Sequence, residues 1–217
     1  MTRLRPVPMA LVAGALALRV PAFLASRHLS FDDGVYGASA LAMRDGAAPF
    51  KDVFSSQGPL FLPLVWLADL VGLRTLDGPR LLAVAAGAVL VAAVWSAARG
   101  AGCGRVPAGV GAGLVATSGS VLWVTGPLTS DGPALALATT AVVLALAWRR
   151  APALRTALLC GMAMGAALSV KSLLVAAAVP VGLVLWRRPR HLVAAVGVAV
   201  AVALASALPW GLAAVWD

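Results

Sequence analysis

Glutamate is absent from this chain of 217 residues, and charged residues make up only 12% of it. A soluble domain usually carries about 25% charged residues. Ala, Val and Leu instead fill several uncharged runs of about 15–20 residues, the length that an α-helix needs to cross a bilayer. This composition excludes a soluble globular domain. It predicts a single all-α unit over residues 1–217, a polytopic membrane helix bundle.

Cysteine is also scarce, with Cys103 in an Arg-flanked loop and Cys160 in an apolar run. The two cysteines form neither a CxxC pair nor the spacing of a metal site. We expect both to be reduced thiols and expect no cofactor. The sequence does not indicate a divalent metal ion, but it does not exclude one.

The formal net charge of +9 comes from arginine, because the chain has only two lysines. Nucleic-acid binding would need a basic face with interleaved aromatic residues. The arginines instead form small groups at the ends of apolar runs, which is typical of cytoplasmic loops. The groups are Arg3/Arg5, Arg99/Arg105, Arg149/Arg150/Arg155 and Arg187/Arg188/Arg190. We therefore expect membrane lipid, and no nucleic acid, as a partner.

Seven apolar runs predict transmembrane spans near 8–26, 81–98, 107–125, 133–148, 155–170, 172–187 and 192–209. If all seven cross and the N-terminus is cytoplasmic, every arginine group lies in the cytoplasm, as the positive-inside rule requires. We therefore expect a multi-pass protein of the plasma (inner) membrane. A cleaved signal peptide is the alternative for the first run, which follows two arginines.

An eighth apolar segment, residues 58–73, contains two prolines and Asp69. If this segment crossed the membrane, the later arginine groups would lie outside the cytoplasm. We therefore predict that it forms an interfacial or re-entrant helix. This helix would belong to an external loop over residues 27–80. In this topology the adjacent acids Asp32 and Asp33 emerge on the same external or periplasmic face as Asp131 and Lys171.

Two neighbouring carboxylates at a membrane surface can deprotonate and orient a hydroxyl, one as the base and the other as its support. Asp32 and Asp33 are candidates for this role, with Tyr36 close by in sequence. The simpler alternative is that these acids only cap the helix that starts at Gly34.

Three further charged residues lie at or within apolar runs, where charge is a sign of function. Lys171 would bind a lipid-borne phosphate or snorkel to the interface. Asp131 would belong to the same site or stabilise a helix N-terminus. Arg19 would snorkel or face an anion, and the sequence favours neither.

The segment FDDGVYGASALAMRDGAAPFKDVFSSQGPL (31–60) resembles the first external loop of the GT-C membrane glycosyltransferases. The closest branch is that of the protein O-mannosyltransferases and the lipid A aminoarabinose transferases. Three further segments are similar to that branch and follow in the same order: LTSDGPALAL, GAALSVKSLLVAAAVPVGLVLW and SALPWGLAAVWD. The resemblance thus covers nearly the whole chain.

The resemblance implies a GT-C-like fold and a hexosyl or pentosyl transferase. A sugar would pass from a polyprenyl-phosphate donor to an unidentified glycan, lipid or protein acceptor on the external face. Asp32 matches the catalytic acid, Asp33 stands where the family usually has glutamate, and Asp131 matches the second acidic position. The implied substrate-binding residues are Lys171, Tyr36, Arg19, Lys51, Gln57 and Arg80.

The chain departs from the family pattern in two places. Gln57 and Gly58 stand where a lysine and a proline are frequent, so we expect one phosphate contact to be lost or taken over by Lys51 or Arg80. Family members also continue beyond the Leu-Pro-Trp segment. We therefore expect only the N-terminal helical module here, with a partner subunit as one source of the remainder.

Two other classes of function remain open at this stage. A non-catalytic lipid-binding or assembly subunit could have the same fold. A transporter is the other alternative, although transporters usually place polar groups at the bilayer midplane in repeated halves. Here the polar groups collect at one face, and no convincing repeat is visible.

Overall fold

A computed structural model describes residues 6–24, 31–75 and 77–211 together with Val215. The described part is all-helical and contains no β-strand. Its α-helices are α1 (Pro6–Leu24), α2 (Phe31–Arg44), α3 (Phe61–Val71), α4 (Leu81–Ala101), α5 (Arg105–Thr117), α6 (Gly119–Thr125), α7 (Asp131–Arg150), α8 (Leu154–Val170), α9 (Ala178–Leu185) and α10 (Pro189–Ala207). Arg3, Arg5 and the predicted span end at residue 26 lie outside the described residues.

The helices pack around α7, which contacts α4 on one side and α8 on the other. Helices α1 and α5 pack on α4, and α10 packs on α8. Small residues permit the close approach of α8 and α10. A Cβ at Gly161 would lie 2.1 Å from the Ala195 carbonyl oxygen, and one at Gly165 would lie 2.5 Å from that of Ala199. Larger side chains at these positions would hold the two helices further apart.

Among the described residues, three helical segments are long and apolar enough to cross a membrane, namely Gly78–Ala101, Asp131–Arg150 and Pro189–Trp210. A fourth results if α5 and α6, which meet at an angle of 61°, are one bent span. The other apolar helical stretches are shorter, namely Met9–Pro21 of α1, Phe61–Val71, Leu154–Val170 and Ser172–Leu185. These lengths are compatible with a multi-pass membrane protein, but they do not confirm the predicted count of seven spans.

Two predicted spans are interrupted in the structure. The run 107–125 breaks at Ser118, whose extended backbone (φ −60°, ψ 126°) separates α5 from α6. The run 172–187 begins as a 3₁₀-helix over Ser172–Ala177 and becomes α-helical only from Ala178. Pro180 explains the second change, because it donates no backbone hydrogen bond and its ring crowds the preceding turn.

The predicted interfacial segment 58–73 contains α3. Its 11 residues extend over about 16 Å, roughly half the hydrocarbon thickness. One side of α3, including Phe61 and Val65, is buried against the protein, whereas Trp66 and Val71 are exposed. The helix therefore covers the bundle with one face and leaves the other apolar face open.

The charged residues divide between two ends of the bundle. At one end, which we call the arginine end, Arg150 Nη2 donates to the carbonyl oxygens of Arg99 (2.6 Å) and Gly100 (2.9 Å). Trp148 Nε1 also donates to His191 Nδ1 at 2.9 Å, so three loops meet there. Residues 31–80 and Asp131 form the opposite, acidic end, which holds every acid in the described part of the chain.

We expect the two ends to lie on opposite sides of the membrane. Exposed Cys103 marks the arginine end, and exposed Ser172 next to Lys171 marks the acidic end. In intact cells an impermeant maleimide should label Ser172→Cys, made in a Cys103→Ser background, without permeabilisation. Native Cys103 should react only after permeabilisation. Labelling of both positions from one side would show that an even number of crossings separates them, contrary to the seven-span count.

Candidate functional site at the acidic end

Asp33 is the buried anchor of the acidic end. Its carboxylate accepts hydrogen bonds from Arg80 Nε (2.9 Å to Oδ1) and from the backbone N–H of Leu128 (2.8 Å). Arg80 Nη2 also donates to Asp33, and Nη1 donates to Asp77. One carboxylate thus joins the start of α2, the turn before α4 and the loop between α6 and α7. Asp33 and Arg80 are therefore used to hold these three segments together.

Asp32, the neighbouring acid, has a different environment. Its side chain is exposed, and no hydrogen bond or ion pair within the described residues holds its carboxylate. Helix α2 begins at Phe31, and its buried side takes Asp33, Tyr36 and Ala40 but not Asp32. The adjacent pair is thus divided into a buried acid and an available acid.

Tyr36 lies one helical turn beyond Asp32 and is only 4% exposed. Its ring packs edge-on against Phe61, with 4.6 Å between the ring centroids. Burial raises the pKa of the Tyr36 hydroxyl, neighbouring Gln57 lowers it, and the negative charge of Asp32 raises it further. The hydroxyl is therefore neutral and can donate a hydrogen bond at physiological pH.

Lys171 and Asp131 form an ion pair with 2.6 Å between Nζ and Oδ1. Asp131 is the first residue of α7, and Lys171 directly follows α8. The lysine side chain is 20% exposed and that of the aspartate 36%, so the pair is open on one side. Next to it, Ser130 Oγ donates to Gln57 Oε1 at 2.7 Å.

The glycine at position 58 has a local explanation in the packing of the turn before α3. The N–H groups of Gly58 and Leu60 donate to the carbonyl oxygens of Val170 (3.1 Å) and Ser169 (3.0 Å), at the end of α8. A Cβ at position 58 would lie 2.2 Å from the Ser169 carbonyl oxygen. Glycine is therefore required where this turn contacts the residues before Lys171.

These contacts bring six predicted or neighbouring residues together at one end of the bundle. We call this group the acidic-end cluster: Asp32, Tyr36, Gln57, Ser130, Asp131 and Lys171. Segments far apart in sequence supply its members. The structure thus places three of the polar segments that the sequence singled out at one location.

Three predicted site residues lie elsewhere or have other partners. Arg80 is engaged by Asp33 and Asp77, and Lys51 is an exposed residue of the turn 48–53. Arg19 is completely buried. Its Nε donates to Thr125 Oγ1 at 2.9 Å, and its Nη1 donates to the Ala15 carbonyl oxygen at 2.8 Å. Arg19 therefore neither snorkels nor joins the cluster.

The ion pair between Arg44 and Asp69 was not predicted. Arg44 Nε donates to Asp69 Oδ2 at 2.7 Å, and its Nη2 also contacts this carboxylate and the Thr75 carbonyl oxygen. An acid in the apolar helix α3 was the available signal, because a buried carboxylate needs a partner. This pair attaches the end of α2 to the end of α3.

An apolar cavity of about 320 Å³ lies between α3, α4, α7 and α8. Pro133 and Ala136 line it just below Asp131, and Ala166 lines it one turn before the end of α8. Leu60 and Leu64 contribute the wall from the α3 side. The cavity therefore begins beneath the acidic-end cluster and is wholly apolar in its lining.

No group of three or more histidine, cysteine or acidic side chains among the described residues could hold a metal ion. Comparisons with protein-family models, with curated proteins and with solved structures find no match to this chain.

The titration of Tyr36 tests the geometry of the cluster directly, because it is the only tyrosine in the chain. For the chain in detergent micelles we expect tyrosinate absorbance to rise with a midpoint above pH 10.0, the ordinary pKa of a tyrosine hydroxyl. Asp32→Asn should lower the midpoint, since it removes a nearby negative charge. Asp45→Asn, at an exposed acid after α2, should leave it unchanged. A midpoint at or below the ordinary value would contradict the buried position of the hydroxyl.

Proposed function

We propose that this chain is a membrane glycosyltransferase, or its helical module, that uses a polyprenyl-phosphate sugar donor. The observation that carries the proposal is the acidic-end cluster above an apolar cavity. An available carboxylate, a neutral phenol and a lysine are collected at the end of membrane-length helices. A lipid-linked phosphosugar has matching parts, namely hydroxyls, a phosphate and an apolar tail.

In the proposed reaction Asp32 accepts the proton of an acceptor hydroxyl as its oxygen attacks the anomeric carbon of the donor sugar. The bond between that carbon and the phosphate oxygen breaks, and the phosphate leaves with the bonding electrons. Lys171 holds the phosphate, and the Tyr36 hydroxyl donates a hydrogen bond to the substrate. Asp33 acts as a positioning residue, because its oxygens already bind Arg80 and Leu128.

The lipid tail of the donor is assigned to the apolar cavity beneath the cluster. A phosphate at Lys171 would lie near Pro133 and Ala166, two of the residues that line this cavity. The ion pair with Asp131 keeps Lys171 at this position in the absence of donor. A bound phosphate would then share the lysine with Asp131.

A non-catalytic lipid-binding or assembly subunit is the second candidate. The observation that favours it is that two of the three candidate acids, Asp33 and Asp131, are engaged in ion pairs. Such a protein would bind the lipid phosphate without needing Asp32 as a base. The two candidates therefore differ in the effect of replacing Asp32.

The proposed base is tested with Asp32→Asn in membranes supplied with a radiolabelled polyprenyl-phosphate sugar. Asparagine has a similar size but cannot accept the proton, so we expect transfer to fall by about a hundredfold or more. The protein should remain in the membrane at its normal level, because Asp32 is exposed. Asp45→Asn is the matched control at a second exposed acid. Near-normal transfer by Asp32→Asn would reject the catalytic role.

Donor binding is tested with Lys171→Met, which keeps an unbranched side chain and removes the charge. Loss of one charge-assisted contact costs about 1.5–3 kcal/mol, so we expect polyprenyl-phosphate affinity in nanodiscs to fall about ten- to a hundredfold. Lys51→Met changes the other lysine of the chain and should leave affinity unchanged. If Lys51→Met weakens binding and Lys171→Met does not, the phosphate lies at the turn 48–53 instead.

A further inference from the structure

A second apolar groove, of about 310 Å³, lies between α8, α9 and α10, away from the acidic-end cluster. Along α10 it extends from Leu192 to Ala203, a rise of about 16 Å. On α9 it is lined from Leu185 back to Ala178, with Gly182 between them. Every side chain that lines it is apolar, and two of them, Val196 and Val200, are exposed. The groove therefore has the length and chemistry to hold part of an acyl chain.

The arginine end of this groove is strongly basic. Arg187, Arg188 and Arg190 are exposed and lie in sequence between Leu185 and Leu192, the groove residues nearest this end. The hydrogen bond from Trp148 to His191 brings the end of α7, with its own two arginines, beside them. No acid in the described part of the chain lies at this end. Such a concentration of like charge creates a positive potential that attracts anions.

Trp186 supports a location at the level of lipid head groups. It is 72% exposed and lies between the groove residue Leu185 and the first of these arginines. Exposed tryptophans are enriched at membrane–water interfaces, where the ring contacts both lipid and head groups. The order along the chain is thus a groove residue, an exposed tryptophan and a set of exposed arginines.

We propose that this groove and its arginines bind an anionic phospholipid. The phosphate would contact Arg187, Arg188 and Arg190, whose planar guanidinium groups bind phosphate oxygens in pairs. One acyl chain would lie in the groove beside Gly182. A protein partner or a neutral lipid would satisfy only the apolar part of this surface. The inference is independent of the proposed transferase function, because the site lies at the opposite end of the bundle.

The site is tested with spin-labelled phosphatidylglycerol and phosphatidylcholine in nanodiscs, by measuring the immobilised lipid fraction by electron paramagnetic resonance. We expect the wild-type chain to prefer phosphatidylglycerol. The triple variant Arg187→Gln, Arg188→Gln and Arg190→Gln should lose about a hundredfold in affinity, because each cation near the membrane surface contributes several-fold. Arg74→Gln, at an exposed arginine of the acidic end, should retain the preference.

The groove itself is tested with two matched glycine substitutions. No atom lies within 4 Å of a Cβ at Gly182 or Gly197, but only Gly182 lines the groove. Gly182→Leu should fill the groove and weaken phosphatidylglycerol binding about tenfold, whereas Gly197→Leu should not. Three results would overturn the proposal: no lipid preference in the wild-type chain, equal losses in each variant and its control, or far stronger displacement of the label by unlabelled polyprenyl phosphate than by phosphatidylglycerol.

Discussion

The acidic end depends on one buried carboxylate, that of Asp33. Arg80 and the Leu128 N–H bind it from two segments that are distant in sequence, 47 and 95 residues away. Removing one partner of a buried ion pair leaves an uncompensated charge, at a cost of about 3–5 kcal/mol. The start of α2, the turn before α4 and the loop before α7 are therefore fixed relative to one another by this group. Tyr36, Ser130 and Asp131 belong to the segments that it orders.

This arrangement explains why two acids are adjacent in so apolar a chain. The buried side of α2 takes Asp33 and leaves Asp32 exposed, so the pair separates into a structural acid and an available acid. The structural acid keeps the backbone of α2 in place, and the available acid remains exposed on that fixed backbone. The alternative of a simple helix cap fails to account for Asp33, whose partners lie outside α2.

Local features of the fold were predictable from the sequence, and long-range partners were not. Composition and run length predicted an all-helical chain, and two prolines with Asp69 predicted a short helix over 58–73. The break at Ser118 also has a local signal, because Thr117, Ser118 and Gly119 are residues that favour turns and helix N-caps, and a count of uncharged run length overlooks it. The partner of Arg19 is Thr125, 106 residues away, and that pairing depends on how α1 meets α6. The charge of Arg80 predicted a phosphate contact. Its ion pairs with Asp33 and Asp77 depend on the fold and could not be predicted from that charge.

The two ends of the bundle differ in the partners that their charged side chains bind. At the acidic end, buried or half-buried ion pairs neutralise Asp33, Asp69 and Asp131 within the protein. At the arginine end the described residues provide no acid, and the guanidinium groups of Arg99 and Arg150 bind backbone carbonyl oxygens instead. Carbonyl oxygens satisfy hydrogen bonds but carry no compensating charge. Within the described residues nothing offsets the charge at that end, and phosphate head groups are the anions that a membrane would place beside such helix ends.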